Sequence, residues 1–135
     1  MSLESRKTVL IVDDNADVRE ICTLALGHAG YRVLEASDGQ QGVWLARDQH
    51  PELVVMDGKM PVLGGWDAVR ILKEDPATAR IPVVAFTASA VTSSQFRILS
   101  ELTDGYILKP CYPSDFVRAV QRFIGPPGLA AAPLH

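Results

Sequence analysis

The chain has 135 residues, of which 47% are hydrophobic and 21% charged, and a formal net charge of −3. That balance suits one globular domain with room for a sheet covered by helices on both sides, and excludes a disordered chain. The 13 basic residues form no block, no apolar run approaches the ~18 residues of a membrane span, and the N-terminus lacks the apolar core of a signal peptide, so direct nucleic-acid binding, membrane insertion and secretion are not expected. A soluble, cytoplasmic domain is the expectation. Cys22 and Cys111 read as free thiols, and His28, His50 and His135 show no metal-ligand spacing.

Residues 1–6 are polar and are set apart from the fold as a loose N-terminus; the domain proper is assigned to residues 7–124. A β-rich run over residues 8–12 ends in Asp13-Asp14, which places two carboxylates at the end of a buried strand. Residues 15–29 carry apolar side chains at helical spacing, stopped by Gly30. Residues 31–36 alternate unevenly with Arg32 and Glu35, as an edge strand does. Ser37 or Asp38 then caps a helix to about residue 49, ended by Pro51.

Residues 53–57, Leu-Val-Val-Met-Asp, form an unbroken apolar run that delivers Asp57 to a turn containing Gly58 and Pro61. A helix is predicted from Trp66 to about Asp75, a fourth strand over residues 81–86 ending at Thr87-Ala88, and a more diluted helix over residues 90–102. A short fifth strand, Tyr106-Ile107-Leu108, ends in Lys109-Pro110, and a closing helix begins near Pro113 and stops at Gly125. Residues 125–135, rich in Gly, Pro and Ala, read as a flexible tail or linker stub.

Five strands alternating with five helices imply right-handed crossovers and a doubly wound, three-layer α/β/α fold around a five-stranded parallel sheet, with the polar second strand favouring order 2-1-3-4-5. Asp13, Asp14 and Asp57 then converge at the carboxyl edge of the sheet, joined there by Thr87 and Lys109. Three carboxylates in one crevice repel one another unless a cation joins them, and a hard, all-oxygen donor set suits Mg²⁺. An ammonium and a hydroxyl aimed at that centre match the oxygens of a phosphoryl group, with Asp57 as the nucleophile and an aspartyl phosphate as the product. Taken singly, each residue has a plainer role: helix caps for Asp13, Asp14 and Thr87, a solvated charge for Lys109, core filling for Tyr106.

As a set, Asp13-Asp14, Asp57 followed by Met60-Pro61 and Gly65, Thr87-Ala88, and Tyr106 three residues before Lys109-Pro110 resemble the receiver domains of two-component response regulators, a superfamily of flavodoxin-like, CheY-like fold. The resemblance implies a phosphoryl-accepting signalling domain rather than an enzyme, with at most self-phosphorylation and autodephosphorylation. It implies Mg²⁺ held by Asp13, Asp14, Asp57 and the Lys59 backbone carbonyl, and a phosphoryl group on Asp57 bound by Thr87, Ala88 and Lys109. It further implies a cis peptide before Pro110 and a switch in which Thr87 and Tyr106 remodel the face formed by the helix over residues 90–102, the fifth strand and the closing helix. The expected partners are a sensor histidine kinase or histidine phosphotransfer protein, a downstream target or covalently linked output domain, and a second copy in a phosphorylation-dependent homodimer.

Two departures from the family stand out. Gly64 replaces a common Asp and, with Gly58 and Gly65, implies a loop of unusual freedom; Lys59 is either a second cation beside the metal or a solvated side chain. Rival readings are a phosphorylation-independent docking receiver, an Mg²⁺-dependent aspartate phosphatase and an FMN-binding flavodoxin-like domain. The phosphatase is disfavoured because Lys59 stands where a second Asp is needed, and the FMN domain because Asp13-Asp14 replaces a phosphate cradle.

Overall fold

The computed structural model describes residues 6–58, 63–88 and 101–128. Five parallel strands, β1 (Thr8–Val12), β2 (Arg32–Ala36), β3 (Leu53–Asp57), β4 (Val83–Ala88) and β5 (Gly105–Lys109), form one sheet in the order β2-β1-β3-β4-β5. The helices among the described residues are α1 (Ala16–Ala29), α2 (Gly39–Gln49), α3 (Gly65–Glu74) and α4 (Pro113–Ile124). Most of the helix predicted over residues 90–102 lies outside the described residues; Glu101 and Leu102 are helical.

Strand alternation divides the core into two layers. Val9, Ile11, Leu53, Val55, Val84 and Phe86 point to the face covered by Cys22 and Leu26 of α1 and Phe116 and Val120 of α4. Leu10, Val12, Val54, Met56 and Val83 point to the opposite face, against Val43 and Ala46 of α2 and Ala68, Val69 and Leu72 of α3. β1 and β3 are buried along their whole length, which is why their sequences are unbroken apolar runs.

Helix boundaries follow local capping chemistry. The Asn15 side chain accepts hydrogen bonds from the Asp17 and Val18 amides, and Gly30 ends α1 at φ 108°, where a Cβ is unfavourable. Asp38 caps α2 through the Gln41 amide. α2 ends at His50, which adopts φ 48°, one residue before the proline that the sequence offered as the stop.

The fourth strand differs from its predicted span of residues 81–86. Pro82 has no N–H to give the ladder, so β4 starts at Val83, whose amide is bound by the Asp104 carboxylate at 2.8 Å. At its other end β4 continues through Thr87 and Ala88, which pair with Leu108 and Lys109, so both residues are part of the strand rather than the loop after it.

Residues 125–128, assigned to the tail by composition, return to the amino-terminal edge of the sheet. The Tyr31 hydroxyl donates to the Gly125 carbonyl at 2.5 Å, the Lys7 amide donates to Pro127 at 2.9 Å, and Gly128 bridges to Arg6. Pro127 is buried against Gly30.

Candidate functional site

The sheet order makes β1 and β3 neighbours, in register Val12 with Met56, and so brings their carboxyl ends together. One carboxylate oxygen from each of Asp13, Asp14 and Asp57 lies within 4.8 Å of the others. Asp13 is 1% exposed and Asp57 9%, whereas Asp14 is exposed. Burying two like charges this close is unfavourable without a cation.

Lys109 supplies one. Its Nζ lies 2.7 Å from Asp13 Oδ2 and 3.6 Å from Asp57 Oδ1. The stem of Lys109 passes beside Phe86, with Nζ 4.9 Å from the ring centroid, and Phe86 packs on Phe116 of α4. The Lys109–Pro110 peptide is cis.

Asp13 is fixed at every polar atom. Its amide donates to the Ala36 carbonyl at 3.1 Å, its Oδ1 accepts from the Asn15 amide at 2.9 Å, and its carbonyl accepts from Arg19 Nη1 at 2.7 Å. Thr87 stands half-buried two strands from Asp13, one residue beyond Phe86, which pairs with Asp57. Ala88 is level with Lys109 in the β4–β5 register. Tyr106 is 50% exposed on β5, so it is not the core filler that was its plainer reading. Lys59, Met60 and Pro61 lie outside the described residues.

The turn after Asp57 is shaped by close approach. A Cβ on Gly65 would stand 1.9 Å from the Asp57 carbonyl oxygen, and one on Gly58 would stand 2.4 Å from the Trp66 ring. These two glycines, read from the sequence as a source of looseness, allow α3 and its indole to pack directly on the end of β3. The Gly65 amide donates to the Gly58 carbonyl at 3.2 Å.

Beside Lys109, an apolar hollow of about 240 Å³ opens between α1 and the start of α4, lined by Val18, Ile21, Cys22, Pro110, Pro113 and Phe116 among others. Both cysteines are free. Burial, with Cys111 nearby, pushes the Cys22 thiol up to about 12, so it stays protonated at neutral pH and reacts poorly. Burial and Asp115 also raise Cys111.

The sequence did not single out Arg19, Phe86 or Asp104. The signal available for Arg19 was its position in the first turn of α1, from which a helical side chain leans back toward the N-terminus and so toward Asp13. All-oxygen donors at this spacing fit a hard divalent cation, and among the described residues the cluster includes no soft ligand. No helix among the described residues is long and apolar enough to cross a membrane.

Residues 9–121 match the model of the response regulator receiver domain. The chain is 39% identical over 132 residues to the phosphate regulon transcriptional regulatory protein PhoB of Pseudomonas aeruginosa, covering 96% of this chain and 57% of PhoB, so it spans just over half the length of that relative. It is 31% identical over 119 residues to the polar-differentiation response regulator DivK of Brucella ovis, covering 88% of this chain and 97% of DivK. The receiver domain of a sensor histidine kinase from Pseudomonas aeruginosa, solved with magnesium coordinated in its active-site cleft, superposes with a TM-score of 0.80 at 32% identity, covering 88% of this chain and 98% of that one. The chemotaxis protein CheY4 of Vibrio cholerae shares the fold, with a TM-score of 0.81 at 24% identity over 87% of this chain and 98% of that one.

Proposed function

The chain belongs to the response regulator receiver domain family, and from that premise we propose that Asp57 accepts a phosphoryl group from the phosphohistidine of a sensor kinase or phosphotransfer protein. The observation that carries the reading is the Lys109 ammonium set against Asp13 and Asp57 inside a cluster of three carboxylates. A carboxylate alone is a weak nucleophile toward an anionic phosphoryl group; here the repulsion between them is offset by fixed positive charge.

In the transfer, an Asp57 carboxylate oxygen forms a bond to phosphorus as the bond from phosphorus to the donor imidazole nitrogen breaks, and the imidazole leaves with its electron pair. Lys109 pairs with one phosphoryl oxygen, the Thr87 hydroxyl donates to a second, and the Ala88 backbone borders the group. Asp13, Asp14, Asp57 and the Lys59 carbonyl would hold Mg²⁺. When bound, that ion supplies neutralisation of the phosphoryl charge and alignment of its oxygens.

Binding of Thr87 to the phosphoryl group draws its hydroxyl toward Asp57, and Tyr106, on the neighbouring strand, turns inward from its exposed position. The β5 edge, with Leu108 45% and Tyr106 50% exposed, then presents a changed surface to a downstream target, a linked output domain or a second copy. Inverting a resting ratio of about 1:99 by this route requires about 5.5 kcal/mol of differential stabilisation. The apolar hollow beside Lys109 suits an apolar side chain of the phosphodonor, whose approach brings its histidine to Asp57. Signalling in the cytoplasm through such partners, without direct nucleic-acid contact by this domain, accords with its net charge of −3. PhoB is a transcriptional regulatory protein and this chain covers 57% of its length, which supports the reading of a covalently linked output for this chain.

Incubation with Mg²⁺ and acetyl phosphate, followed by intact mass measurement, tests the assignment. Wild type gains one phosphoryl group and Asp57→Asn gains none; equal gain in both, or gain in neither, refutes it.

A further inference from the structure

Asp13 and Asp57 are buried at the ends of strands and face the Lys109 ammonium, but Asp14 is exposed, and the aim of its carboxylate depends on the backbone that carries it. That backbone is the peptide between Asp13 and Asp14, whose carbonyl oxygen accepts a 2.7 Å hydrogen bond from Arg19 Nη1. Arg19 is the fourth residue of α1, and its side chain is only 18% exposed. Its Nε lies 3.3 Å from Glu35 Oε1 on β2, and Glu35 is in register with Ile11 of β1. One guanidinium therefore ties the first turn of α1, the exit of β1 and the edge strand together across the base of the acidic cluster.

We propose that Arg19 is a positioning residue for the metal site: it clamps the Asp13 carbonyl, and by fixing the plane of the following peptide it holds the Asp14 carboxylate in line with those of Asp13 and Asp57. The proposal rests on the receiver reading above. A planar fork is required, because one arm reaches a backbone carbonyl while another part of the same group reaches a carboxylate; an ammonium is a single point charge and cannot hold both partners in one plane.

Charge and position predict opposite outcomes, which makes the role testable. As a bare cation near three carboxylates, Arg19 would compete with Mg²⁺, so its removal would tighten metal binding. As a clamp, its removal weakens binding, and partners that orient ligands in this way typically account for about tenfold or more in affinity.

Mg²⁺ affinity, read from the amide chemical shifts of Asp14 and Gly58 during titration, is compared in wild type, Arg19→Met, Arg19→Lys and Glu35→Gln, with urea unfolding of each in parallel. The expectation is about tenfold weaker binding in Arg19→Met, a smaller loss in Arg19→Lys, and an affinity within about twofold of wild type in Glu35→Gln, which keeps an acceptor for the guanidinium. Binding in Arg19→Met as tight as wild type or tighter overturns the proposal. If Arg19→Met does not fold, Arg19→Lys decides: unchanged affinity overturns it. Failure of wild type itself to bind Mg²⁺ refutes the receiver-site reading instead, a result separable from any ranking of the variants.

Discussion

At the scale of single residues, the site is an arrangement of charges that the fold forces together. Asp13 is buried and Lys109 is its ion-pair partner, so Lys109→Met strands a carboxylate at the end of β1. Because Lys109 is itself 23% exposed, the cost is less than for a fully buried pair, about 2 kcal/mol in the metal-free protein. Urea unfolding measures it, and added Mg²⁺ recovers most of the loss by binding the native state alone. Phosphorylation of the same variant by acetyl phosphate slows by more than about tenfold even with Mg²⁺ saturating, since the fixed charge on the phosphoryl oxygens is gone. Unchanged stability with unchanged rate would remove Lys109 from the site. That Asp13, Asp14, Asp57 and Lys109 meet at one edge of the sheet was legible in the sequence, because acidic and amine residues each close an apolar run. Arg19 was not, because its work is done through a backbone carbonyl, a partner that leaves no mark on the side-chain pattern.

At the scale of elements, the placement of α3 shows how little room the site leaves. Gly65 begins that helix where a methyl group would meet the Asp57 carbonyl at 1.9 Å, contact with backbone that cannot swing aside. Gly65→Ala is expected to cost about 2–3 kcal/mol by pushing α3 from the end of β3. Urea unfolding checks the cost, and a parallel fall in Mg²⁺ affinity checks that the displacement reaches Asp57. A cost below about 0.5 kcal/mol would mean that the helix relaxes freely. Periodicity and caps made β1, α1, α2, β3 and α4 readable to within a residue or two. The shift of β4 toward the site was harder to see: the apolar run over residues 81–86 starts at Ile81, yet Pro82 cannot pair, and Thr87 and Ala88 gain their strand character only from β5 alongside.

Across the whole molecule, the site and the segments at residues 6–7 and 125–128 occupy opposite edges of the sheet. The segment after α4 ties back through Tyr31, Lys7 and the buried Pro127, far along the strands from Asp57. Truncation after Ile124 should therefore lower stability by about 2–4 kcal/mol, the net worth of three hydrogen bonds, from Tyr31, Lys7 and the Gly125 amide, and one small buried ring, while leaving acetyl phosphate labelling of Asp57 intact. Thermal unfolding together with intact mass separates the two, and a loss of labelling in a folded truncation would contradict it. Composition alone had assigned these residues to a tail, since Gly and Pro at a chain end carry no periodicity; their order comes from carbonyls that meet donors from residues 94 or more positions earlier. The sequence by itself determined the alternation of strands and helices, the order of the sheet and the residue types delivered to its carboxyl edge, because apolar periodicity and caps are local properties. Only the tertiary structure decided which groups hold those residues in place. The Lys109 bridge joins positions 96 residues apart, and the Arg19 clamp and the contact of α3 with β3, though close in sequence, depend on ångström-scale separations that no local pattern encodes.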